Sequence, residues 1–348
     1  MKQIKVAVLG ATGMVGQRFL SLLDGHPQFK LSDIAASHRS AGKSYGNAVS
    51  WYLDDEMPDG LRDITVKGID PKVIDADIVF SALPTSVAKE VEPAFAKEGF
   101  IVASNASAFR DEEDVPLLIP EVNPEHLALI DVQKTNRDWD GCIITNPNCT
   151  TIVLTLSLKP LFDEFGIEKL FVVSMQALSG AGYNGVSSMA IIDNVIPFIG
   201  GEEDKVESEP RKILGTLQNG KVVDAPIDIS ASCNRVSTSD GHLESVFIDL
   251  ADKADVEEVE EAFKNFKGLP QKLGLPSAPP KPIILREEEN RPQPRFDRNA
   301  GKGMAVSVGR VRKDNIFDFK YTVFGHNTIR GAAGASILNA ELFVKNKL

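Results

Sequence analysis

The chain has 348 residues, 43% of them hydrophobic and 25% charged, which is ordinary for a globular protein and too long for one compact core. Its 38 Lys and Arg against 49 Asp and Glu leave a net charge of −11, which excludes a broad nucleic-acid-binding surface but not a few cations focused in a pocket. No apolar run approaches the ~20 residues of a membrane span, and three cysteines, Cys142, Cys149 and Cys233, form neither a disulfide framework nor a metal-site spacing.

The N-terminus, Met1-Lys2-Gln3-Ile4-Lys5-Val6, runs straight into a strand pattern with no signal-peptide core, which fits a reducing cytoplasm. The strand 4–9 is followed at once by Gly10-Ala11-Thr12-Gly13-Met14-Val15-Gly16, then a helix over 17–23, a Gly25-His26-Pro27 break and a second strand over 31–36. Strand, glycine turn, helix, strand is the context of a dinucleotide-binding turn, although the spacing is G-x-x-G-x-x-G. Glycines let the backbone approach a pyrophosphate, and the helix N-terminus neutralises it.

After the second strand come Ser37-His38-Arg39-Ser40-Ala41-Gly42-Lys43, where an NAD enzyme would place an acid against the ribose. Asp33 lies near the strand's start instead. Ser37, Arg39 and Ser40 offer hydroxyls and a guanidinium suited to a 2′-phosphate, favouring NADP. A strand over 77–84, a helix over 86–98 and a strand over 100–105 continue the alternation, so the first half reads as a doubly wound, Rossmann-type parallel sheet. Ser81, Leu83 and Asn105 stand at strand ends, where such sheets bind ligands, and Arg110 follows. Taken alone, Arg110 reads as a solvated cation.

Asn146-Pro147-Asn148-Cys149-Thr150-Thr151 then carries a cysteine into the first turn of an apolar helix. Unpaired N–H groups and the helix dipole there favour thiolate, the nucleophilic form. Past this point the pattern changes to an α+β half with a mainly antiparallel sheet. Strands are expected over 169–178, 221–225, 230–236, 243–250, 306–311 and 317–324, with a charged helix over 255–267. A polar insertion covers 200–211, and the acidic runs Glu202-Glu203-Asp204 and Glu287-Glu288-Glu289 read as solvated surface. Gly180 and Gly182 point to close backbone approach to a ligand. Residues 276–282 and 291–295 are proline-rich connectors. A closing helix over 328–345, small on one face, is expected to return to the nucleotide half. The expected division is 1–148 for the nucleotide domain, completed by 327–348, and 149–326 for the catalytic and dimerisation domain.

These segments together resemble one family, the aspartate-β-semialdehyde dehydrogenases, across essentially the whole chain. Asn146 to Thr151 resembles its active-site segment. Gln176-Ala177-Leu178-Ser179-Gly180-Ala181-Gly182 resembles the segment of its catalytic glutamine. Asn234-Arg235-Val236 with Asp240-Gly241-His242 resembles its substrate arginine and catalytic histidine, and Asn327 to Gly334 its nicotinamide-side helix start. The loop 37–43 and the stretch 291–295 are similar to the archaeal and fungal branch.

The resemblance implies reversible, NADP-dependent reductive dephosphorylation of β-aspartyl phosphate to aspartate β-semialdehyde, releasing inorganic phosphate. That step leads to lysine or diaminopimelate, methionine, threonine and isoleucine. It implies Cys149 as nucleophile, His242 as acid and base, and Gln176 orienting the carbonyl or Cys149. Arg235 would hold the substrate carboxylate, Arg110 and Lys212 the phosphate, Glu209 the ammonium group, with Asn148 also at the substrate. For Glu209 and Lys212 the local reading is an exposed i,i+3 ion pair, and only the family's E-x-x-K pattern promotes them. Gly10, Thr12, Gly13, Met14, Val15, Gly16, Ser37, Arg39, Ser40, Ser81, Leu83, Asn105, Ser179, Gly180, Gly182 and Asn327 would meet the cofactor, and no metal is implied.

Cys142 and Cys233 read as packing residues, His26 and His126 as surface or capping groups, and His326 as a group near the cofactor. A homodimer or dimer of dimers is implied. Related readings are a malonyl-CoA reductase of the same family, an N-acetyl-glutamyl-phosphate reductase, whose cysteine segment differs, and a non-enzymatic NADP sensor, which would not need Cys149, Gln176, Arg235 and His242 together.

Overall fold

The computed structural model describes residues 3–347, so Met1, Lys2 and Leu348 of the expected first domain and closing helix lie outside the described residues. Five short apolar strands, β1 (Ile4–Leu9), β2 (Phe29–Ala35), β3 (Ile78–Ser81), β4 (Ile101–Ser104) and β5 (Cys142–Thr145), form the first sheet. All pairs are parallel, in the order β2-β1-β3-β4-β5. β3 and β5 are buried at every position, as strands covered on both faces must be. The expected Rossmann-type sheet is what forms. Its covering helices are Met14–Leu23, Thr85–Lys97 and, from the far end of the chain, Gly334–Lys347. Ala333, Ile337 and Ala340 pack with Phe19 and Phe80 in the core of this half, so the closing helix does return to it.

The second sheet has six strands in the order β11 (Ile283–Arg286), β12 (Val306–Lys313), β13 (Phe319–Gly325), β10 (His242–Leu250), β6 (Ile167–Gln176), β9 (Asp228–Arg235). Its centre is antiparallel and its two outer pairs, β11–β12 and β6–β9, are parallel, so the sheet is mixed. Lys221–Val223 (β8) does not join it. That strand pairs with Thr216–Gln218 (β7) as a separate hairpin, because Asn219 and Gly220 adopt the positive φ of a tight turn.

β10 alternates strictly between buried and half-buried positions, so one face carries His242, Glu244, Val246, Ile248 and Leu250 inward. The Cys149–Phe165 helix lies on that face and is itself buried all round from Thr150 to Leu158, where it carries no charged residue. The expected polar insertion is instead a helix, Glu202–Ile213, with three acidic residues in its first turn complementing the helix dipole. The connection from β5 of the first sheet to the Cys149 helix of the second layer is only Asn146-Pro147-Asn148.

Candidate active site

The Cys149 helix starts where its cap fixes it. Asn148 Oδ1 accepts from the backbone N–H of Thr150 and Thr151 at 2.9 and 3.2 Å, satisfying two otherwise orphan donors. Its Nδ2 donates to Glu202 at 2.9 Å and its backbone N–H to Glu209 at 2.7 Å. Asn148, expected at the substrate, thus has its amide engaged in holding the turn.

The turn presents Cys149 Sγ 3.1 Å from His242 Nε2, although the two residues are 93 apart in sequence. His242 Nδ1 in turn accepts from the Ala177 N–H at 3.1 Å, which sets the plane of the ring. Gly180 stands over the pair: a Cβ there would fall 2.9 Å from Arg235 Nη1 and 3.4 Å from His242 Cε1. Arg235 is buried and donates to the Ala177 carbonyl at 2.5 Å. Gln176 is buried beside Arg235 in the β6–β9 register, with its amide donating to Ser174 Oγ at 3.1 Å.

The electrostatics correct one expectation. Burial pushes the Cys149 thiol up to about 12, and the Glu202 carboxylate adds to that rise. Arg110, Arg235 and the Thr150 N–H pull the other way without winning. Burial, helped by Arg235, also lowers His242 to about 3. The resting pair is therefore neutral thiol and neutral imidazole, not a preformed thiolate.

The exposed i,i+3 ion pair that local sequence alone would give Glu209 and Lys212 does not form. Glu209 is buried and pairs with Arg110 at 3.0 Å, so Arg110 is not a solvated cation either. Lys212 donates to the carbonyls of Arg110, Glu112 and Val115 at 2.6, 2.8 and 3.4 Å, and so fixes the segment that carries Arg110. Glu202 and Glu203 are not solvated: Glu202 is buried, and Glu203 accepts from the Cys233 N–H at 2.9 Å. Glu202 is not a site candidate in sequence, because the acidic run Glu202-Glu203-Asp204 in a polar insertion reads as solvated surface.

On the nucleotide side, Gly10 has φ +78 and a Cβ there would meet the Ala82 carbonyl at 2.7 Å, while one on Gly16 would meet the Gly10 carbonyl at 2.3 Å. Those two glycines serve close packing. Gly13 is exposed, a Cβ there would meet the Gly10 carbonyl at an ordinary 3.6 Å, and the helix behind it (Met14–Leu23) has no side-chain cap and no acid in its first turn. Thr12, Met14 and Val15 are half-buried beside it. That mouth fits a diphosphate. Ser37 and Arg39 are exposed and Ser40 half-buried in a turn beyond β2, while Asp33 is tied to Lys67 at 2.7 Å. The loop's donors are therefore available to an added phosphate.

Ser81 is fully buried beside Glu92, and Leu83 is packed over the Gly10 turn, so both line the strand ends from within. Asn105 accepts from Asn146 Nδ2 at 3.2 Å. Asn327 joins the halves: its Oδ1 accepts from the Gly241 N–H at 2.8 Å and its Nδ2 donates to Ser179 Oγ at 2.8 Å. Gly180 and Gly182 are exposed at the pocket rim.

The remaining candidates are placed plainly. His126 is fully buried between Asn123 and the Gly215 carbonyl, and His26 is buried against Glu341 at 2.8 Å, so neither is a surface group. His26 Nδ1 does accept from the N–H groups of Gln28 and Phe29 at the start of β2. His326 is buried, lowered to about 4 by burial, near Asp240 and Arg18. Cys142 and Cys233 are buried, and none of the three cysteines is in a disulfide.

Two family models match the chain: "Semialdehyde dehydrogenase, NAD binding domain" over 5–130 and "Semialdehyde dehydrogenase, dimerisation domain" over 158–330. An aspartate-semialdehyde dehydrogenase of Methanothermobacter thermautotrophicus is 61% identical over 342 residues, covering 97% of this chain and 98% of that protein. The chain belongs to the aspartate-semialdehyde dehydrogenase family. The crystal structure of the Candida albicans aspartate semialdehyde dehydrogenase with NADP superposes with a TM-score of 0.91, at 43% identity and 100% coverage of both chains. A malonyl-CoA reductase (NADP) of Metallosphaera sedula is more distant, 41% identical over 99% of this chain and 98% of that protein. Among the described residues no helix is long and apolar enough to cross a membrane.

Proposed function

We propose that this chain is an NADP-dependent aspartate-semialdehyde dehydrogenase, converting β-aspartyl phosphate to aspartate β-semialdehyde and phosphate in the biosynthesis of the aspartate-derived amino acids. The observation that carries the reading is the 3.1 Å approach of Cys149 Sγ to His242 Nε2 at a helix start between the two halves. Sγ forms a bond to the β-carbonyl carbon as the carbon–oxygen bond to phosphate breaks; the thiol proton leaves on the phosphate, and His242, whose Nδ1 accepts from Ala177, turns its Nε2–H to the sulfur. The Gly10–Gly16 turn and the loop with Ser37, Arg39 and Ser40 would hold NADPH, which when bound would supply hydride to the Cys149 thioester. As the carbon–sulfur bond breaks and the aldehyde leaves, the His242 Nε2–H donates to the departing sulfur, which takes its proton from solvent.

Arg235 is the clamp for the substrate carboxylate, and Glu209 meets the ammonium group. Arg110 turns from Glu209 to phosphate, with Lys212 holding its segment. The nucleotide domain is 1–148 with 327–348, and the catalytic and dimerisation domain is 149–326. The protein assembles as a homodimer or a dimer of dimers. Supporting this, residues 183–198 present Met189 at 87% and Phe198 at 70% exposure, with Tyr183, Ile192 and Val195 also exposed. A cytoplasmic location suits three cysteines outside disulfides.

The test follows NADPH formation with purified protein, aspartate semialdehyde and phosphate. Turnover is expected, and Cys149→Ser should lower kcat on the order of 10³-fold or more while NADP binding stays intact. Turnover of malonyl-CoA instead would favour the second reading, against which the buried Glu209–Arg110 pair stands: a malonyl group has no ammonium for Glu209 to meet.

A further inference from the structure

The residue that caps the Cys149 helix is held by two carboxylates of unequal surroundings. Asn148 donates its N–H to Glu209 and its side-chain amide to Glu202, and the Thr150 hydroxyl reaches Glu202 at 3.4 Å. Glu209 is compensated by Arg110 at 3.0 Å. Glu202, 7% exposed, has the Lys205 ammonium at 3.7 Å, beyond hydrogen-bond distance.

Behind it stands Glu244, two positions from His242 on the same inward face of β10. Glu244 is fully enclosed, and neither of its oxygens has a hydrogen-bond partner. Burial and the nearby Glu202 charge hold it protonated. It therefore adds no charge of its own. The charges facing Cys149 are Glu202, Arg110 and Arg235, with the His242 ring at the sulfur. Those facing Glu202 are Lys205 and Arg235, with the Glu244 carboxyl and the thiols of Cys149 and Cys233.

We propose that Glu202 is a positioning residue for Cys149: it accepts the Asn148 side-chain amide and so fixes the turn that carries the thiol, and it sets a buried carboxylate charge behind that turn. The inference rests on the reading of Cys149 as the nucleophile. The benefit is chemical, because thiolates are the forms that oxidants and alkylating agents attack. The device separates a hydrogen bond from a charge, and substitutions can separate them too. Glu202→Gln keeps an acceptor oxygen for the Asn148 amide and removes the charge. Glu202→Asp keeps the charge. Lys205→Met removes the one ammonium that offsets it.

The experiment is alkylation of the full chain by iodoacetamide as a function of pH, with no substrate present and Cys149→Ser as the background from Cys142 and Cys233. Glu202→Gln should move the midpoint down by about one pH unit, so that alkylation at a fixed pH below it runs about tenfold faster. Glu202→Asp should keep the wild-type midpoint and Lys205→Met should raise it. Identical profiles for wild type and Glu202→Gln overturn the proposal. If Glu202→Gln fails to fold, a Lys205→Met profile equal to wild type overturns it instead. Since no substrate is used, this failure is distinct from failure of the dehydrogenase reading, which shows as turnover that survives Cys149→Ser.

Discussion

A methyl group on Gly331 would stand 2.7 Å from Cys149 Cβ and 3.1 Å from its Cα, well inside van der Waals contact. Gly331 belongs to the turn of π-helix at Ile329–Ala333 that brings the chain back across the pocket. Gly331→Ala should therefore displace the nucleophile before it unfolds anything. Overpacking of this kind costs ~1–3 kcal/mol, and here it falls on the reacting atom. The expected outcome is a fall in kcat of at least about tenfold with a small change in melting temperature, read by steady-state rates and thermal denaturation together. An unchanged kcat would mean that Cys149 has room to retreat. At this scale the sequence was informative about residue types and silent about partners. Cys149 and His242 stood out as residue types suited to a nucleophile and a proton carrier. That Arg110 pairs with Glu209 could not be read, because the partners are 99 residues apart and each is unremarkable in its own segment.

Among the elements, the helix Thr85–Lys97 carries a carboxyl into the back of the first sheet. Glu92 is fully buried, accepts from Ser104 Oγ at 2.7 Å, and burial raises it to about 7. A carboxyl raised in the folded state binds its proton more tightly there than in the unfolded chain. Its contribution to stability is thus complete below the unfolded value of 4.5 and is lost as pH rises through about 7. Glu92→Gln should flatten that fall and leave the variant more stable at pH 8, by up to ~3 kcal/mol, measured by urea unfolding at pH 5 and pH 8. A pH dependence equal to wild type would sink the assignment.

Element types were largely legible where period and length agreed, as in the βα units of the first half. They failed where charge masked amphipathicity. Glu202–Ile213 looked like a solvated insertion, yet Glu202, Val206, Glu209, Pro210 and Ile213 make its buried face. Lys221–Val223 was a strand in both accounts, but its partner depended on the Asn219-Gly220 turn, a local signal that outranked the alternation around it.

For the whole molecule, the described surface over 183–198 is the prediction that matters. Changing Phe198 to Asp should leave the fold intact and shift the protein toward monomer in sedimentation or size-exclusion measurements. A mass unchanged from wild type would place the subunit contact elsewhere. The order of the two halves was legible because periodicity and residue class change at Cys149, and the return of the closing helix followed from its small residues. The joint between the halves was not, since it rests on side-chain bonds between distant segments.

That joint has a consequence for modularity. Its first residue, Asn146, bonds Ser104 and Asn105 at the end of β4 and Ala332 and Asn339 of the closing segment, and its last, Asn148, bonds Glu202 and Glu209 of the second half. Three residues thus answer to three separate parts of the chain at once. A chimaera that borrowed its nucleotide half from a relative would have to import the closing segment with it, or the transplanted turn would present its thiol to the wrong neighbours.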